Sequence, residues 1–369
     1  MQILRVAQKV YPDVPGGGTY HVHAMSRDQA AMGHDVTVLT VTADPDRPSR
    51  EERNGYTVVR FPSTVEPLGN EISANLARYL ATLDESAFDV IHAHSHLYFS
   101  TNLAAIRRRL GGPPLALTNH GLYSQDAPEW LFDVYLRTLG RWTFNRADTV
   151  FCYTDTDHER LRDLGVRSRI DVVPNGIDTE RFTPDGPESE LVDHEGPVIL
   201  FVGRLVEGKR PSDAVRATAQ VVERHPDAAL YLCGTGPLRD DLAALAADLG
   251  IADAVTFLGQ VPYDEMPAVY RSGDVLVLPS RAEGVPRTIM EAMATGMPVV
   301  CSDLPQVRDL ASDGGYLVEV GAHSAFAERI DACLTGEYPH RGRERIVADH
   351  SWHNTVERTT DVLRELSSR

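Results

Sequence analysis

Lysine is nearly absent from this sequence. Lys9 and Lys209 are the only two, so arginine supplies the other 34 of the 36 basic residues. Acidic residues number 53 and the net charge is −17, which excludes nucleic-acid binding through a broad basic surface. A lysine-poor, acidic composition is typical of proteins from salt-loving archaea, although a GC-rich genome also favours arginine. Because lysine is so rare, a specific role for Lys209 is more plausible than it would be in a lysine-rich chain.

Long apolar runs and clustered cysteines are also missing. No stretch approaches the roughly 20 uncharged apolar residues of a membrane helix. The first apolar run carries Arg5 and Lys9, unlike a signal peptide, so we expect a cytoplasmic protein. The four cysteines have no C-x-x-C spacing, which predicts buried free thiols rather than metal ligands or disulfides (Cys152, Cys233, Cys301 and Cys333).

Strand-length apolar runs recur along the chain and alternate with helical patterns. Near-continuous Val/Ile/Leu runs of this kind predict parallel strands covered on both faces. In the first half they cover 3–7, 35–41, 57–61, 89–94, 114–120, 148–154 and 170–174. In the second they cover 197–204, 228–234, 255–261, 274–280, 298–303 and 315–320. Helix candidates include 19–32, 211–225, 237–249, 263–271 and 286–295.

Each half begins with a strand, a glycine-bearing loop and a helix, which predicts two doubly wound α/β domains. The segment 174–197 is rich in Pro, Gly and acidic residues and has little apolar periodicity, as linkers do. We therefore predict domains at 1–174 and 175–351. The last segment, 352–369, reads as a helix after a candidate Ser351 cap, and we expect it to pack back on the first domain.

Two glycine-rich loops follow predicted strands. PGGGTYHV (15–22) would bring backbone amides close to a ligand at a helix N-terminus, and GTGPLR (234–239) is a second such loop. Neither contains an intact G-x-G-x-x-G, which argues against a nicotinamide-dependent dehydrogenase. A tight strand–helix turn explains either loop equally well.

Basic and acidic side chains follow the strands of the second half. Arg204 ends the strand of GRLVEGKR (203–210), and Lys209 comes five residues later. A cation pair at this edge of a parallel sheet could bind a diphosphate, and the alternative is two solvated surface cations. Glu283 lies in the loop after the predicted strand 274–280, at the same edge, and Glu291 lies within the helix after Pro286, which ends at Gly296. Two carboxylates around a helix N-terminus could bind the hydroxyls of two sugars flanking a diphosphate.

EGVPRTIMEAMATGMPVV (283–300) resembles the Glu-x7-Glu signature of retaining GT-B glycosyltransferases, family 4. VPNGID (173–178), FVGRLVEGK (201–209), GTGP (234–237) and the first PGG loop are similar to that family's segments, in its order. The resemblance extends from residue 3 to the final helix. It implies the GT-B fold, in which two Rossmann-like domains face each other across a cleft.

The resemblance also implies roles for individual residues. Arg204, Lys209, Gly16 and Gly17 would bind the donor diphosphate. Glu291 would bind the ribose, with Gly234 and Val261 near the nucleoside. Glu283 and His120 would act at the transferred sugar, near Val285, Pro286 and Arg287.

Alternating histidines in HAHSH (92–96) could meet on one strand face and bind a metal ion. The resemblance instead implies that this strand end lines the acceptor side, with His94 and Tyr20 as candidates. No metal and no other cofactor is expected. The aspartates of DPD (44–46) and DTD (155–157) are expected to be surface residues.

The resemblance implies transfer of a hexosyl unit from a UDP- or GDP-sugar to an acceptor hydroxyl with retention of configuration. The alternatives are a sugar-nucleotide epimerase of the same fold and a non-catalytic sugar-nucleotide binding protein. The acceptor could be a lipid-linked glycan or a polysaccharide precursor. A lipid-linked acceptor would imply peripheral membrane contact, for which Arg107–Arg109 with Leu103, Ile106 and Leu110 is the local candidate.

Overall fold

A computed structural model describes residues 1–122 and 129–368 of the chain. These residues fall into two compact units. The first comprises Met1–Leu122, the described part of Ala127–Pro174, and Asn354 to the end of the final helix, and the second comprises Asn175–His353. Each unit carries its own sheet.

The first unit contains one eight-stranded sheet. Its strands are β1 (Gln2–Val6), β2 (Asp35–Thr42), β3 (Arg50–Arg53), β4 (Tyr56–Pro62), β5 (Val90–His94), β6 (Leu115–Thr118), β7 (Thr149–Cys152) and β8 (Arg169–Val172). They are ordered β3-β4-β2-β1-β5-β6-β7-β8. All neighbours pair in parallel except β3 and β4, which form an antiparallel edge hairpin.

The helices of the first unit cover its central strands, which are buried throughout. They are α1 (Gly17–Ala31), α2 (Ala74–Ala81), α3 (Phe99–Arg109), α4 (Glu129–Tyr135), α5 (Arg141–Phe144) and α6 (Asp155–Asp163), with a π-helical turn at Leu136–Gly140 between α4 and α5. Burial on both faces explains why β5 and β6 read as continuous apolar runs rather than as alternating patterns.

The second unit contains a six-stranded, entirely parallel sheet. Its strands are β9 (Val198–Val202), β10 (Ala229–Cys233), β11 (Val255–Gly259), β12 (Val275–Leu278), β13 (Val299–Ser302) and β14 (Gly315–Val318), ordered β11-β10-β9-β12-β13-β14. Its helices are α7 (Pro211–Val222), α8 (Arg239–Asp248), α9 (Met266–Arg271), α10 (Arg287–Ala294), α11 (Pro305–Ala311), α12 (His323–Leu334) and α13 (Gly342–Asp349). The strand order reverses beside β9, and such switch points bind ligands at the carboxyl ends of the strands.

The final helix, α14 (Trp352–Ser367), contributes to the core of the first unit. Leu363 and Leu366 are 0% and 1% exposed and pack with Ile3 and Val36. On the polar side, Thr360 accepts a hydrogen bond from Gln29 of α1 at 2.9 Å. The helix therefore buries its apolar face against β1 and α1.

The predicted strands are all present, but the edge strand β3 was missed because its sequence, REER, has no apolar residue. The helix that ends at Gly296 begins at Arg287, and Pro286 is its capping residue rather than its first helical residue. α1 begins at Gly17, two residues earlier than predicted, and α9 begins at Met266, three residues later.

All four cysteines are buried free thiols, as the sequence predicted. Within residues 1–122 and 129–368, no helix is both long and apolar enough to cross a membrane.

Candidate active site

Lys209 and Glu283 form an ion pair at the ligand edge of the second sheet. Lys209 ends a short helical turn after β9, and Glu283 lies in the loop after β12, the strand beside β9. The distance from Lys209 Nζ to Glu283 Oε1 is 2.5 Å, and their side chains are 15% and 5% exposed. Lys209, which the sequence assigned to the diphosphate, therefore contacts Glu283, which it assigned to the sugar.

The loop that carries Glu283 leads directly into α10. Val285 and Pro286 are buried, and Pro286 has an extended backbone that precedes the first helical turn. At the other end, Gly296 has φ +83°, the left-handed conformation that commonly ends a helix. The first-turn amides of α10 therefore lie just beyond the Lys209–Glu283 pair in the chain, where a helix dipole favours negative charge.

Glu291 lies on α10 and its side chain is held by two tyrosines. Its Oε1 accepts a hydrogen bond from Tyr263 at 2.9 Å, and its Oε2 accepts one from Tyr270 at 3.0 Å. Glu291 is 4% exposed and Tyr270 is fully buried. Burial, followed by the negative charge of Glu291, raises the pKa of the Tyr270 hydroxyl well above its usual value.

Arg287 completes this cluster from the preceding turn of α10. Its Nη2 donates to the Tyr263 hydroxyl at 3.0 Å, and its Nε lies 3.5 Å from Glu291 Oε1. Its Nη1 donates to the carbonyl of Gly176 at 3.1 Å. The guanidinium therefore supplies a positive charge beside a buried carboxylate and fixes the tyrosine that holds it.

Arg204 and Gly234 follow neighbouring strands at the same edge. Arg204 is exposed and lies in the same β9–α7 connection as Lys209, five residues before it. Gly234 follows β10 with φ +142°, and a Cβ there would lie 1.9 Å from the carbonyl oxygen of Gly203. Val261, after β11, is buried. Gly234 is thus required for two loops to approach each other, whatever ligand they meet.

In the first unit, the glycine loop leads from β1 into α1. Gly16 has φ +151° and its carbonyl accepts a hydrogen bond from Thr19 Oγ1 at 2.8 Å. Gly17 is the first helical residue, and both glycines are exposed. Tyr20, one turn into the helix, packs edge-on against Tyr11 with ring centroids 5.4 Å apart. The exposed amides therefore lie at the N-terminus of a 15-residue helix.

His94 and His120 meet at the carboxyl edge of the first sheet. His94 Nδ1 lies 3.1 Å from His120 Nε2, and His120 Nδ1 lies 2.8 Å from the Tyr153 hydroxyl. His94 ends β5, whereas His120 and Tyr153 follow β6 and β7. The centroid of the His21 ring of α1 lies 5.8 Å from that of His94 and 5.3 Å from that of His120. Both ring nitrogens of His120 are thereby engaged within the first unit.

Burial keeps the histidines of this edge neutral. It lowers the pKa of His120 to about 4 and that of His96 to about 3. The pKa values of His92 and His94 are well below their usual range because of burial, with a smaller effect of the Arg5 charge. Arg5 itself is 0% exposed and donates to Ser26 Oγ at 2.7 Å and Gln29 Oε1 at 2.5 Å.

Several features singled out in the sequence have specific environments in the structure. Asp157 was expected at the surface but is buried in the first turn of α6, 1% exposed. In the arginine run 107–109, Arg107 is buried and donates to the carbonyl of Leu83, and Arg108 pairs with Asp148 at 2.7 Å. Among the described residues, no three His, Cys, Asp or Glu side chains are grouped so as to hold a metal ion, the HAHSH histidines included.

Sequence reasoning missed the partners of the site residues. Tyr263, Tyr270 and Tyr153 each contact a predicted site residue, but they lie 28, 21 and 33 positions away from it. No spacing rule connects residues so far apart. Tyr263 lies just after the predicted strand 255–261, and this position at the edge of the sheet was the only sequence feature that pointed to the site.

Family models match both halves of the chain. The model described as Glycosyltransferase Family 4 covers residues 15–181, and the model described as Glycosyl transferases group 1 covers 183–348. The chain belongs to this glycosyltransferase family. It is a hexosyltransferase that uses a nucleotide-activated sugar, and the sequence-based identification is confirmed.

Curated relatives of this glycosyltransferase span nearly the whole chain. It is 31% identical to the D-inositol 3-phosphate glycosyltransferase of Acidothermus cellulolyticus, over 95% of this chain and 86% of that protein. It is 27% identical to an uncharacterised glycosyltransferase of Methanocaldococcus jannaschii, over 99% and 98%. It is 28% identical to the GDP-mannose-dependent alpha-(1-6)-phosphatidylinositol monomannoside mannosyltransferase of Mycolicibacterium smegmatis, over 81% and 80%.

Solved structures confirm the predicted GT-B fold. Sucrose-phosphate synthase from Thermosynechococcus elongatus superposes with a TM-score of 0.82 at 22% identity and covers 100% of both chains. HepE of Anabaena, in complex with UDP and glucose, superposes with a TM-score of 0.81 at 20% identity, covering 99% of this chain and 100% of that one.

Proposed function

We propose that this glycosyltransferase transfers a hexosyl unit from a UDP- or GDP-sugar to an acceptor hydroxyl and retains the anomeric configuration. The observation that carries the proposal is the Lys209–Glu283 pair beside the N-terminus of α10. A cation held at this edge can neutralise the charge that grows on a departing diphosphate. Relatives named for GDP-mannose and for inositol phosphate, and neighbours solved with UDP, support a nucleoside-diphosphate donor.

We assign the donor diphosphate to Lys209 and Arg204 and the ribose to Glu291. Gly234 and Val261 would lie near the nucleoside. Glu283 would contact the transferred sugar, where Val285, Pro286 and Arg287 border the same loop. In the first unit, Gly16 and Gly17 are assigned to the diphosphate, His120 to the donor sugar, and His94 and Tyr20 to the acceptor.

In the proposed reaction the anomeric C–O bond to the diphosphate stretches while the acceptor hydroxyl approaches from the same face. The departing phosphate oxygen takes the proton of that hydroxyl, and the sugar ring carries transient positive charge. Glu283, as a carboxylate, would stabilise that charge. Lys209 and the amides of α10 would supply the positive charge facing the diphosphate, so we expect turnover without a divalent metal.

We also propose that the acceptor carries a lipid or another apolar group. Three large apolar side chains on α4 are exposed in the first unit, with Trp130 at 69%, Val134 at 53% and Leu131 at 39%. The buried side of this helix is anchored to the HAHSH segment, since Tyr135 donates to the carbonyl of His96. Exposed apolar surface next to a candidate acceptor edge favours an apolar acceptor. This surface replaces the arginine run 107–109 as the candidate contact.

A donor screen followed by product analysis tests the reaction. Thermal shift at high salt should show stabilisation by one class among UDP-, GDP- and ADP-sugars. Transfer from that sugar should give a product with the anomeric configuration of the donor, seen by NMR, and EDTA should leave the rate unchanged. An inverted product, or epimerised donor without acceptor, would contradict the proposal.

The acceptor is tested with vesicles. Trp130→Ser should reduce sedimentation with lipid vesicles and raise KM for a lipid-linked acceptor, leaving KM for the donor unchanged. Arg109→Gln, at the exposed end of the arginine run, is the comparison variant and should sediment with vesicles like the wild type. Equal binding by wild type and Trp130→Ser would overturn an apolar contact at this helix.

A further inference from the structure

Two tyrosine hydroxyls hold the carboxylate of Glu291, one on each oxygen. Tyr270 holds Oε2 and Tyr263 holds Oε1, at 3.0 and 2.9 Å. A carboxylate has about four acceptor positions, two on each oxygen. Each tyrosine occupies one acceptor position, so one acceptor position remains on each oxygen. A vicinal diol has two hydroxyl donors and therefore requires two such positions.

The two tyrosines differ in their surroundings. Tyr270 lies within α9 and is 0% exposed, as a core residue would be. Tyr263 lies in the loop before α9, is only partly buried, and packs over the Arg181 guanidinium at 4.6 Å. Tyr263 can therefore be substituted without disturbing the core, whereas a substitution of Tyr270 would disturb it.

The orientation of the Tyr263 hydroxyl is fixed by Arg287. Arg287 Nη2 donates to this hydroxyl at 3.0 Å, and guanidinium nitrogens only donate. The hydroxyl has a single proton, so it accepts from Arg287 and donates to Glu291 Oε1. This order fixes the direction of the Tyr263 hydrogen bond and holds the Glu291 carboxylate in one rotation.

Arg287 is itself held from a second direction. Its Nη1 donates to the carbonyl of Gly176 at 3.1 Å, and its guanidinium lies 5.9 Å from the centre of the Trp352 ring. Its side chain is 9% exposed. The guanidinium is thus a fixed part of the second unit rather than a mobile surface group.

We propose that Tyr263 and Arg287 are positioning residues that orient the Glu291 carboxylate for the 2′- and 3′-hydroxyls of the donor nucleoside. This inference rests on the proposed function, because it requires a nucleoside-diphosphate donor. Tyr263 holds the Glu291 carboxylate in place for the ribose hydroxyls. The site should therefore bind ribonucleoside diphosphates more tightly than deoxyribonucleoside diphosphates. A buried polar group made for a hydroxyl strongly rejects an analogue that lacks it.

The test is a thermodynamic cycle with Tyr263→Phe as the protein change and removal of a ribose hydroxyl as the ligand change. Phe preserves the ring packing on Arg181 and removes only the hydroxyl. We expect Tyr263→Phe to weaken UDP or GDP binding about 10-fold, measured by calorimetry. The same substitution should weaken binding of the 2′-deoxy and 3′-deoxy diphosphates only about 2-fold, because the Glu291 carboxylate can bind only one ribose hydroxyl in each of them.

Tyr231→Phe is the matched control, since it removes a tyrosine hydroxyl that donates to the Asp193 carbonyl at 3.3 Å elsewhere in the second unit. It should bind the ribonucleoside diphosphate and both deoxy analogues like the wild type. Arg287→Lys should reproduce the effect of Tyr263→Phe. A lysine ammonium cannot donate to the Tyr263 hydroxyl and the Gly176 carbonyl at the same time, as the guanidinium does. In turnover, Tyr263→Phe should raise the donor KM and leave kcat within about 2-fold.

The outcomes separate this inference from the proposed function. If the wild type binds no nucleoside diphosphate, both are overturned. If the wild type binds one and Tyr263→Phe binds it equally well, the positioning role is overturned and the proposed function stands. Equal losses for ribo and deoxy ligands would likewise overturn the positioning role, because they would indicate a general loss of structure.

Discussion

Lys209 Nζ lies 2.5 Å from Glu283 Oε1, and both side chains are largely buried. Sequence reasoning placed both residues at the ligand edge but paired Lys209 with Arg204. In the structure the lysine charge is instead balanced by the carboxylate. If Lys209 binds the donor diphosphate as proposed, the diphosphate competes with Glu283 for the ammonium.

Removing the Lys209 charge should impair chemistry more than donor binding. We expect Lys209→Ala to lower kcat about 100-fold, because the leaving diphosphate loses a fixed cation. Steady-state kinetics with the identified donor measures this change. Lys9→Ala, at the only other lysine, is the matched control and should keep wild-type kcat. Near-normal turnover by Lys209→Ala would contradict leaving-group stabilisation by this residue.

Glu283→Gln separates the two partners of the pair. The amide cannot balance the buried ammonium, so unfolding free energy should fall by about 1–3 kcal/mol. Turnover should fall as well, because a neutral amide cannot stabilise positive charge on the sugar ring. Chemical denaturation and kinetics on the same preparation check both effects. A variant that loses stability but keeps wild-type kcat would restrict Glu283 to a structural role.

Gly234→Ala should destabilise the protein by about 3 kcal/mol or more, because the added Cβ meets a backbone carbonyl that cannot move freely. The contact in question is 1.9 Å from Gly203 O, at a residue with φ +142°. Gly203→Ala is the control, since its Cβ would meet nothing closer than 3.6 Å. Denaturant unfolding measures both. Equal stability of the two variants would show that the loops can separate at little cost.

The buried His96 should make folding stability depend on pH. Its ring is 0% exposed, lies 4.8 Å from that of Phe144, and has a pKa lowered to about 3. In the unfolded chain His96 binds a proton as the pH falls through about 6.5, whereas in the folded chain it stays neutral until about pH 3. The free energy of unfolding is therefore highest above about pH 6.5 and decreases as the pH falls toward about 3. Relative to His96→Phe, the wild type should lose about 2–3 kcal/mol between about pH 7 and about pH 4.5.

Unfolding curves at both pH values measure that difference. His340→Phe, at an exposed histidine, is the control and should follow the wild type. A His96→Phe variant whose stability falls with pH as steeply as that of the wild type would contradict the assignment of this loss to His96.

Asp13 anchors the segment that precedes the first glycine loop. Its oxygens accept from Arg60 Nε at 2.7 Å and Arg53 Nη2 at 2.8 Å, and Arg53 also donates to the Tyr11 carbonyl. Burial acts to raise the pKa of Asp13, but the two arginines outweigh it and lower the pKa. Asp13→Asn should cost about 1–3 kcal/mol, because Glu51 alone then balances the charges of Arg53 and Arg60.

Stability loss from Asp13→Asn should be visible in denaturant unfolding at neutral pH. The wild type should lose the same contribution only as the pH falls through the lowered pKa of Asp13, below the usual range of an aspartate. Exposed Asp46→Asn should have little effect. An equally stable Asp13→Asn variant would mean that the β3–β4 hairpin does not hold this loop.

The sequence predicted those features that depend on local patterns. Continuous apolar runs identified every strand except β3, and the glycine at 296 marked the end of α10 because a left-handed residue is needed there. Contacts between distant positions could not be predicted in this way. The Lys209–Glu283 pair joins residues 74 positions apart, and the tyrosines around Glu291 lie in another loop and another helix.

The scarcity of lysine gives this pair a practical use. An amine-directed acylating reagent has only two lysine side chains to modify, and Lys209 Nζ is shielded by Glu283. Peptide mass mapping can therefore follow Lys209 with Lys9 as the internal reference in the same sample. Protection of Lys209 that increases with added nucleoside diphosphate would report occupancy of the proposed diphosphate position without any assay of sugar transfer.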